Sequence, residues 1–228
     1  MKICIPIMAG DVDAALAKME KARRLADVLE LRIDRIGDAD LDRLLSKQRS
    51  DVIVTNRRKE EGGAFAGTER QRVELLKKAV SLGAGYVDIE ESTDPTLLIE
   101  LIETVAAQRE TKLIISSHNF KRTPGDRKLY QLLAGGIALG ADIVKIVTTA
   151  RTMEDNLRML RLIAYAQRKR VDVIAFCMGE LGRMSRVIAP LMGAFLTFAS
   201  LTEGEASAPG QFTAENMKKI IEAVKGEE

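Results

Sequence analysis

Lys145 is the residue whose surroundings demand an explanation. It interrupts Asp142-Ile143-Val144-Lys145-Ile146-Val147, a run with the character of a buried strand. A charge inside such a strand is costly unless it is paired. One reading is a structural lysine held by an interior carboxylate. The other is an imine-forming amine. Lysine ionises near ~10.4 in water, and desolvation or a neighbouring cation lowers this until the free amine can attack a carbonyl. His118 is the only histidine in the chain and ends the preceding apolar run. A lone histidine is often a hydrogen-bonded structural residue. An imidazole that ionises near ~6.5 also shuttles protons at neutral pH, and beside the Lys145 strand the two form a candidate catalytic pair. No metal is expected, because one His and two distant Cys do not supply tetrahedral ligands. Asp88 and Glu90 are expected to be ion partners of interior cations rather than ligands of a hard cation.

These residues need a frame that brings them together. Eight candidate strands follow the chain: Lys2–Met8, Asp27–Arg32, Asp51–Thr55, Tyr86–Glu90, Lys112–Ser116, Asp142–Val147, Asp172–Phe176 and Ala194–Phe198. Their continuous apolar runs suit a parallel sheet buried on both faces. Helical patterns lie between them, as at Glu69–Leu82 and Met153–Lys169. In the second, Leu157, Leu160, Ile163 and Ala164 mark an apolar face, and Thr152 with Asp155 approximates a capping box. Strand starts recur about every 27 residues, close to the βα unit of an eightfold barrel. The doubly wound alternative lacks its glycine-rich loop, since Met8-Ala9-Gly10-Asp11 has one glycine. The expected fold is a single (β/α)8 barrel domain over 1–228, with its site at the C-terminal ends of the strands. Glu30, Arg32 and Asp34 stand after strand 2, and Arg57, Arg58, Glu60 and Glu61 after strand 3. Met178, Ser185 and Arg186 follow strand 7, and a loop over 200–212 follows strand 8.

Composition narrows the classes. The chain has 228 residues, 46% hydrophobic and 30% charged, enough apolar material for a core. Thirty-five Lys and Arg against 33 Asp and Glu leave +2, which argues against nucleic-acid binding. The longest uncharged stretch, Val187 to Thr202, has sixteen residues broken by Pro190 and Gly193. It is too short to span a bilayer, so no membrane partner is expected. Cys4 and Cys177 lie in apolar runs without CxxC spacing, which suggests buried reduced thiols and a cytoplasmic setting.

One set of motifs runs nearly the whole length. It comprises Glu30-Leu31-Arg32-Ile33-Asp34, Thr55-Asn56-Arg57-Arg58-Lys59-Glu60-Glu61-Gly62-Gly63, Ser117-His118-Asn119-Phe120, Lys145-Ile146, Met178-Gly179, Gly182, Ser185-Arg186 and Ser207-Ala208-Pro209-Gly210-Gln211. In this order the set resembles type I 3-dehydroquinate dehydratases, the shikimate-pathway lyases. The resemblance implies a cofactor-free (β/α)8 barrel, commonly a homodimer, acting on 3-dehydroquinate on the route to chorismate and aromatic amino acids. It implies Lys145 as the Schiff-base lysine, His118 as general acid/base and Glu61 as the carboxylate accompanying it. Glu30, Arg32 and Arg57 resemble the polar set around the substrate hydroxyls. Arg186 matches the arginine for the substrate carboxylate, and Met178 a methionine beside the imine. Ser207, Ala208 and Gln211 match a closing loop, with Gly204 and Gly210 as candidate hinges. A second methionine, two positions earlier in many relatives, is Phe176 here.

Blander readings stand beside these. Glu30 and Arg32 also fit a simple ion pair, Arg186 a helix-surface cation, and Met178 core filling. Two functional rivals remain at this level: a class I aldolase for a small keto acid, and a catalytically silent barrel acting as a binding subunit.

Overall fold

The computed structural model describes residues 1–46 and 49–226. Its strands are β1 (Ile3–Ala9), β2 (Val28–Ile36), β3 (Val52–Thr55), β4 (Tyr86–Glu90), β5 (Lys112–Asn119), β6 (Ile143–Thr149), β7 (Asp172–Met178) and β8 (Thr197–Phe198). Helices alternate with them: α1 (Val12–Ala22), α2 (Leu41–Leu44), α3 (Glu69–Ser81), α4 (Pro95–Gln108), α5 (Asp126–Ala138), α6 (Met153–Arg168), α7 (Arg183–Leu191) and α8 (Ala214–Lys225). All paired strands are parallel and follow one another from β1 to β7, with β8 against β1. Across the remaining gap, the Phe195 N–H donates to the Val173 carbonyl at 2.8 Å. The result is a nearly closed (β/α)8 barrel, as the strand rhythm predicts.

Alternation of side chains along a strand decides what fills the barrel. Cys4, Val28, Ile53, Tyr86, Ile114, Ile143 and Ile174 share one apolar interior cluster. Two residues further along the strands, the same inward face carries Glu30, Thr55, Asp88, Ser116, Lys145 and Phe176, all buried. A further step of two gives Arg32, Arg57, Glu90, His118, Val147 and Met178. The interior thus changes from oil to charge over two layers.

Four strands run two or more residues further than the sequence pattern marks. β2 reaches Ile36, β5 Asn119, β6 Thr149 and β7 Met178. Most of the added residues are polar or site-bearing, so apolar runs under-count them. β8 is shorter than expected and begins only at Thr197. In α6 the capping box of Thr152 and Asp155 is present. Its buried face instead follows Asn156, Met159, Leu160, Ile163 and Ala166, and Leu157 is 45% exposed. Leu157 sits one residue, about 100° of helical turn, from Asn156 and so points away from the barrel.

Gly63 closes the turn that returns from β3. A Cβ there would lie 1.7 Å from the Arg57 carbonyl oxygen, and the Gly63 N–H donates to the Arg58 carbonyl at 2.9 Å. Backbone must move to admit any side chain. Gly63→Ala is expected to cost about 2 kcal/mol or more and lower the thermal midpoint by several degrees. A wild-type midpoint in a calorimetric scan would show that this turn relaxes freely.

Candidate active site

Six buried charges of alternating sign cross the barrel mouth. Arg72, on α3, donates from Nη1 to Glu90 Oε2 at 2.8 Å, and Glu90 Oε1 takes Arg57 Nη1 at 2.8 Å. Arg57 Nη2 reaches Asp88 Oδ2 at 2.9 Å, and the same oxygen accepts from Lys145 Nζ at 2.8 Å. Lys145 also donates to Glu30 Oε1 at 3.1 Å, which in turn accepts from Thr55 Oγ1 at 2.9 Å. Ser116 Oγ bridges Asp88 Oδ1 at 2.6 Å and Arg57 Nη1 at 2.7 Å. The Lys145 side chain is 5% exposed, and Nζ lies 4.5 Å from the Phe198 ring centroid. Burial opposes ionisation of Asp88 and Arg57, but their mutual attraction outweighs it. Asp88 is held well below the carboxylate range and Arg57 well above the usual arginine value. Arg32 turns to Asp34 in a two-pronged pair at 2.9 and 2.7 Å. Glu30 and Arg32 therefore serve different partners.

His118 faces the same space from β5. Glu61, in a single 3-10 turn (Lys59–Glu61), places Oε2 2.9 Å from both the His118 backbone nitrogen and its Nδ1. A carboxylate only accepts, so the ring proton sits on Nδ1 and Nε2 is left basic. Burial, with the nearby positive charge of Arg57, pulls the imidazole down to about 4, although Glu61 pulls the other way. Burial raises the Glu61 carboxyl, and its bonds with His118 and Ser92 outweigh this and leave it below its ordinary value.

Arg186 is the opposite of the charges in the ladder. It is fully buried on α7, not a surface cation. Its Nη2 donates to the Pro209 carbonyl at 3.1 Å, while Nε and Nη1 have no partner. Its guanidinium lies 4.5 Å from the Phe176 ring centroid. Burial without a carboxylate lowers it to about 10. A buried cation with open donors is an anion site in waiting. Phe176, two positions before Met178, gives this cation a flat π face.

The loop over 200–212 roofs the cavity. Ser207 and Gln211 bond each other, N to Oε1 at 2.8 Å and Nε2 to Oγ at 3.0 Å. The Pro209 carbonyl also accepts from Gly179 N at 3.1 Å. Gly210 has φ +82°, and a Cβ there would meet the Gly179 carbonyl oxygen at 2.3 Å. It is thus a close-packed contact as well as a candidate hinge, whereas Gly204 has open space around it.

Every residue assigned by sequence lines one cavity of about 90 Å³: Glu30, Arg32, Arg57, Glu61, His118, Lys145, Met178, Arg186, Ser207, Ala208 and Gln211. Phe120, Phe176 and Phe198 line it too. A wider hollow of about 890 Å³ lies outside, between the β2–α2 loop and α3, and among those residues includes none. Asp88 and Glu90 are the ion partners expected of them. Ser116, Arg72, Ser92 and Phe198 carry no role in the sequence reading. Stepping back by two along β5 from His118 would have found Ser116. Arg72 and Ser92 lie outside the strands and give no such signal.

Fold and site together define a (β/α)8 barrel enzyme with its polar centre at the C-terminal ends of the strands. The family described as type I 3-dehydroquinase matches residues 3–228, and the chain belongs to it. The 3-dehydroquinate dehydratase of Desulfotalea psychrophila is 37% identical, with 96% of each chain covered. The chloroplastic bifunctional 3-dehydroquinate dehydratase/shikimate dehydrogenase of Arabidopsis thaliana is 37% identical, over 94% of this chain and 36% of that protein. Among solved structures, the 3-dehydroquinate dehydratase of Aquifex aeolicus superposes with a TM-score of 0.79 at 32% identity, covering 96% of this chain and 97% of that one. The family's chemistry is dehydration in the shikimate pathway, not the carbon–carbon cleavage of an aldolase.

His118 gives a direct test of these electrostatics. The folded ring takes a proton only near pH 4, the unfolded one near about 6.5. Between these values the unfolded chain binds more protons, so stability falls as pH drops through that window. Because the chain has one histidine, ¹⁵N-imidazole NMR of untagged protein reads it without assignment. Titration at 6 or above would contradict this burial and charge environment.

Proposed function

We propose that the chain converts 3-dehydroquinate to 3-dehydroshikimate through an imine on Lys145, in the synthesis of chorismate and aromatic amino acids. The observation that carries this is the Lys145 amine, buried within the barrel between Glu30 and Asp88 and facing the cavity that His118 and Arg186 also line. A cytoplasmic homodimer is the setting implied by the family resemblance. The two free, buried cysteines agree with a reducing compartment, and no helix among the described residues is long and apolar enough to cross a membrane.

The chemistry follows from the residues. The Lys145 amine attacks the C3 carbonyl carbon, and the carbinolamine loses water to give an iminium. His118 Nε2 removes a C2 proton, and the C–H electron pair moves toward the iminium nitrogen as an enamine. That pair then expels the C1 hydroxyl, which takes the proton from His118 and leaves as water. The C1–C2 double bond forms, and hydrolysis returns the ketone and the free amine. Glu61 keeps the imidazole oriented throughout, with its Nδ1 proton engaged. Arg186 takes the C1 carboxylate on its open donors. The loop over 200–212 acts as a mobile lid that admits substrate and excludes water.

Borohydride added with 3-dehydroquinate is expected to inactivate the protein and leave a reduced adduct on Lys145, located by peptide mass mapping. Adduct on another lysine, or undiminished turnover without any adduct, would remove the imine assignment. Arg186→Lys keeps charge and loses the planar fork. It should raise KM and lower kcat together, reducing kcat/KM about 10- to 100-fold, because a misplaced carboxylate also misplaces C2. Wild-type steady-state kinetics in this variant would put the carboxylate elsewhere.

A further inference from the structure

Glu61 orients His118 with one oxygen only, which leaves open what orients Glu61. Its Oε2 is taken up by the His118 backbone and ring. Its Oε1 accepts from Ser92 Oγ at 2.6 Å. Ser92 lies just beyond β4, in the turn that leads to α4. It is fixed in turn by Arg58, whose Nη1 donates to the Ser92 carbonyl and, at 3.1 Å, to its hydroxyl. Arg58 is anchored as well: its backbone N–H donates to Glu90 Oε1 at 3.2 Å, and its Nε bonds Glu60 Oε2 at 3.0 Å. A relay therefore runs from Arg58 through Ser92 and Glu61 to His118. It ties the β3 and β4 loops to the imidazole of β5.

We propose that Ser92 is a positioning residue for the dehydration, holding Glu61 so that the His118 ring stays aimed at the substrate and its Nε2 stays unprotonated. The proposal rests on the acid–base role given to His118 above. The physics has two parts. With both oxygens engaged, the carboxylate cannot rotate about its terminal bond, and the ring it holds keeps one plane. The Ser92 hydroxyl, polarised by Arg58, also withdraws charge from Glu61, and a weaker carboxylate stabilises the imidazolium less. The other charges facing this pair are Arg57 just beyond β3, Asp88 from β4, Lys145 from β6, and Glu91 just beyond β4. Arg35 reaches the adjoining turn through the Gly62 carbonyl. All of them remain when the hydroxyl alone is removed.

Ser92→Ala and Ser92→Thr separate positioning from packing, since both leave an exposed turn foldable and only the second keeps the hydroxyl. With 3-dehydroquinate as substrate, Ser92→Ala should lower kcat about three- to tenfold with KM within about twofold, the range for one charge-assisted hydrogen bond acting at a distance. The His118 imidazole, followed by ¹⁵N NMR in the free protein, should titrate at least about half a pH unit higher than in wild type. Ser92→Thr should restore both. If Ser92→Ala leaves kcat and the titration unchanged, or if Thr and Ala lower kcat alike, Ser92 does not position the pair. Borohydride trapping on the wild-type protein runs in parallel. A Lys145 adduct with an unresponsive Ser92 overturns only this proposal, whereas absence of the adduct overturns the imine reading itself.

Discussion

Everything at the barrel mouth depends on how Lys145 is balanced. Its ammonium sits between Asp88 and Glu30, and Asp88 is shared with Arg57. Arg57 is shared with Glu90, and Glu90 with Arg72. Three cations and three anions alternate, so the buried ladder is neutral as a whole. Removing one member strands a neighbour, which typically costs 3–5 kcal/mol. The arrangement also suits the proposed chemistry. An iminium carries the same positive charge as the ammonium it replaces, so the ladder keeps its balance before and after condensation. Only the transient neutral amine disturbs it. A proton acceptor must therefore stand close by, and His118, held neutral by burial and by Arg57, is suited to be one.

Arg186 completes the pattern by being left out of it. The ladder cations have carboxylates, whereas Arg186 has a loop carbonyl, an aromatic face and unused donors. The ladder charges are internally satisfied, whereas the Arg186 charge, proposed above to take the substrate carboxylate, is not.

The sequence showed the frame because the strands are apolar and regularly spaced. It showed Lys145 because a charge breaks its apolar run, and His118 because it is the only histidine in the chain. It ended β2, β5, β6 and β7 too early, because the barrel interior turns polar toward its mouth and the apolar signal fades there. It placed Leu157 on the packed side of α6, because apolar character alone does not distinguish residues one step apart around a helix. Arg72 and Ser92 were invisible for another reason. One is an ordinary helix arginine and the other an ordinary turn serine until the fold brings them to Glu90 and Glu61.

The two-residue β8 has a mechanical consequence. The ion ladder stitches β2 to β6 with side-chain bonds across the barrel, on top of the backbone ladders. On the other side, β8 meets β1 at two register positions, and the bond from Phe195 to Val173 is what joins it toward β7. The barrel is therefore stiff on one flank and compliant on the other. Backbone amides along that seam should exchange with solvent well before those of β3 to β6, by local opening rather than global unfolding. The 200–212 loop is rooted in the compliant flank, and so is Phe198 beneath the Lys145 amine. Opening at the seam would widen the mouth without breaking a single rung of charge.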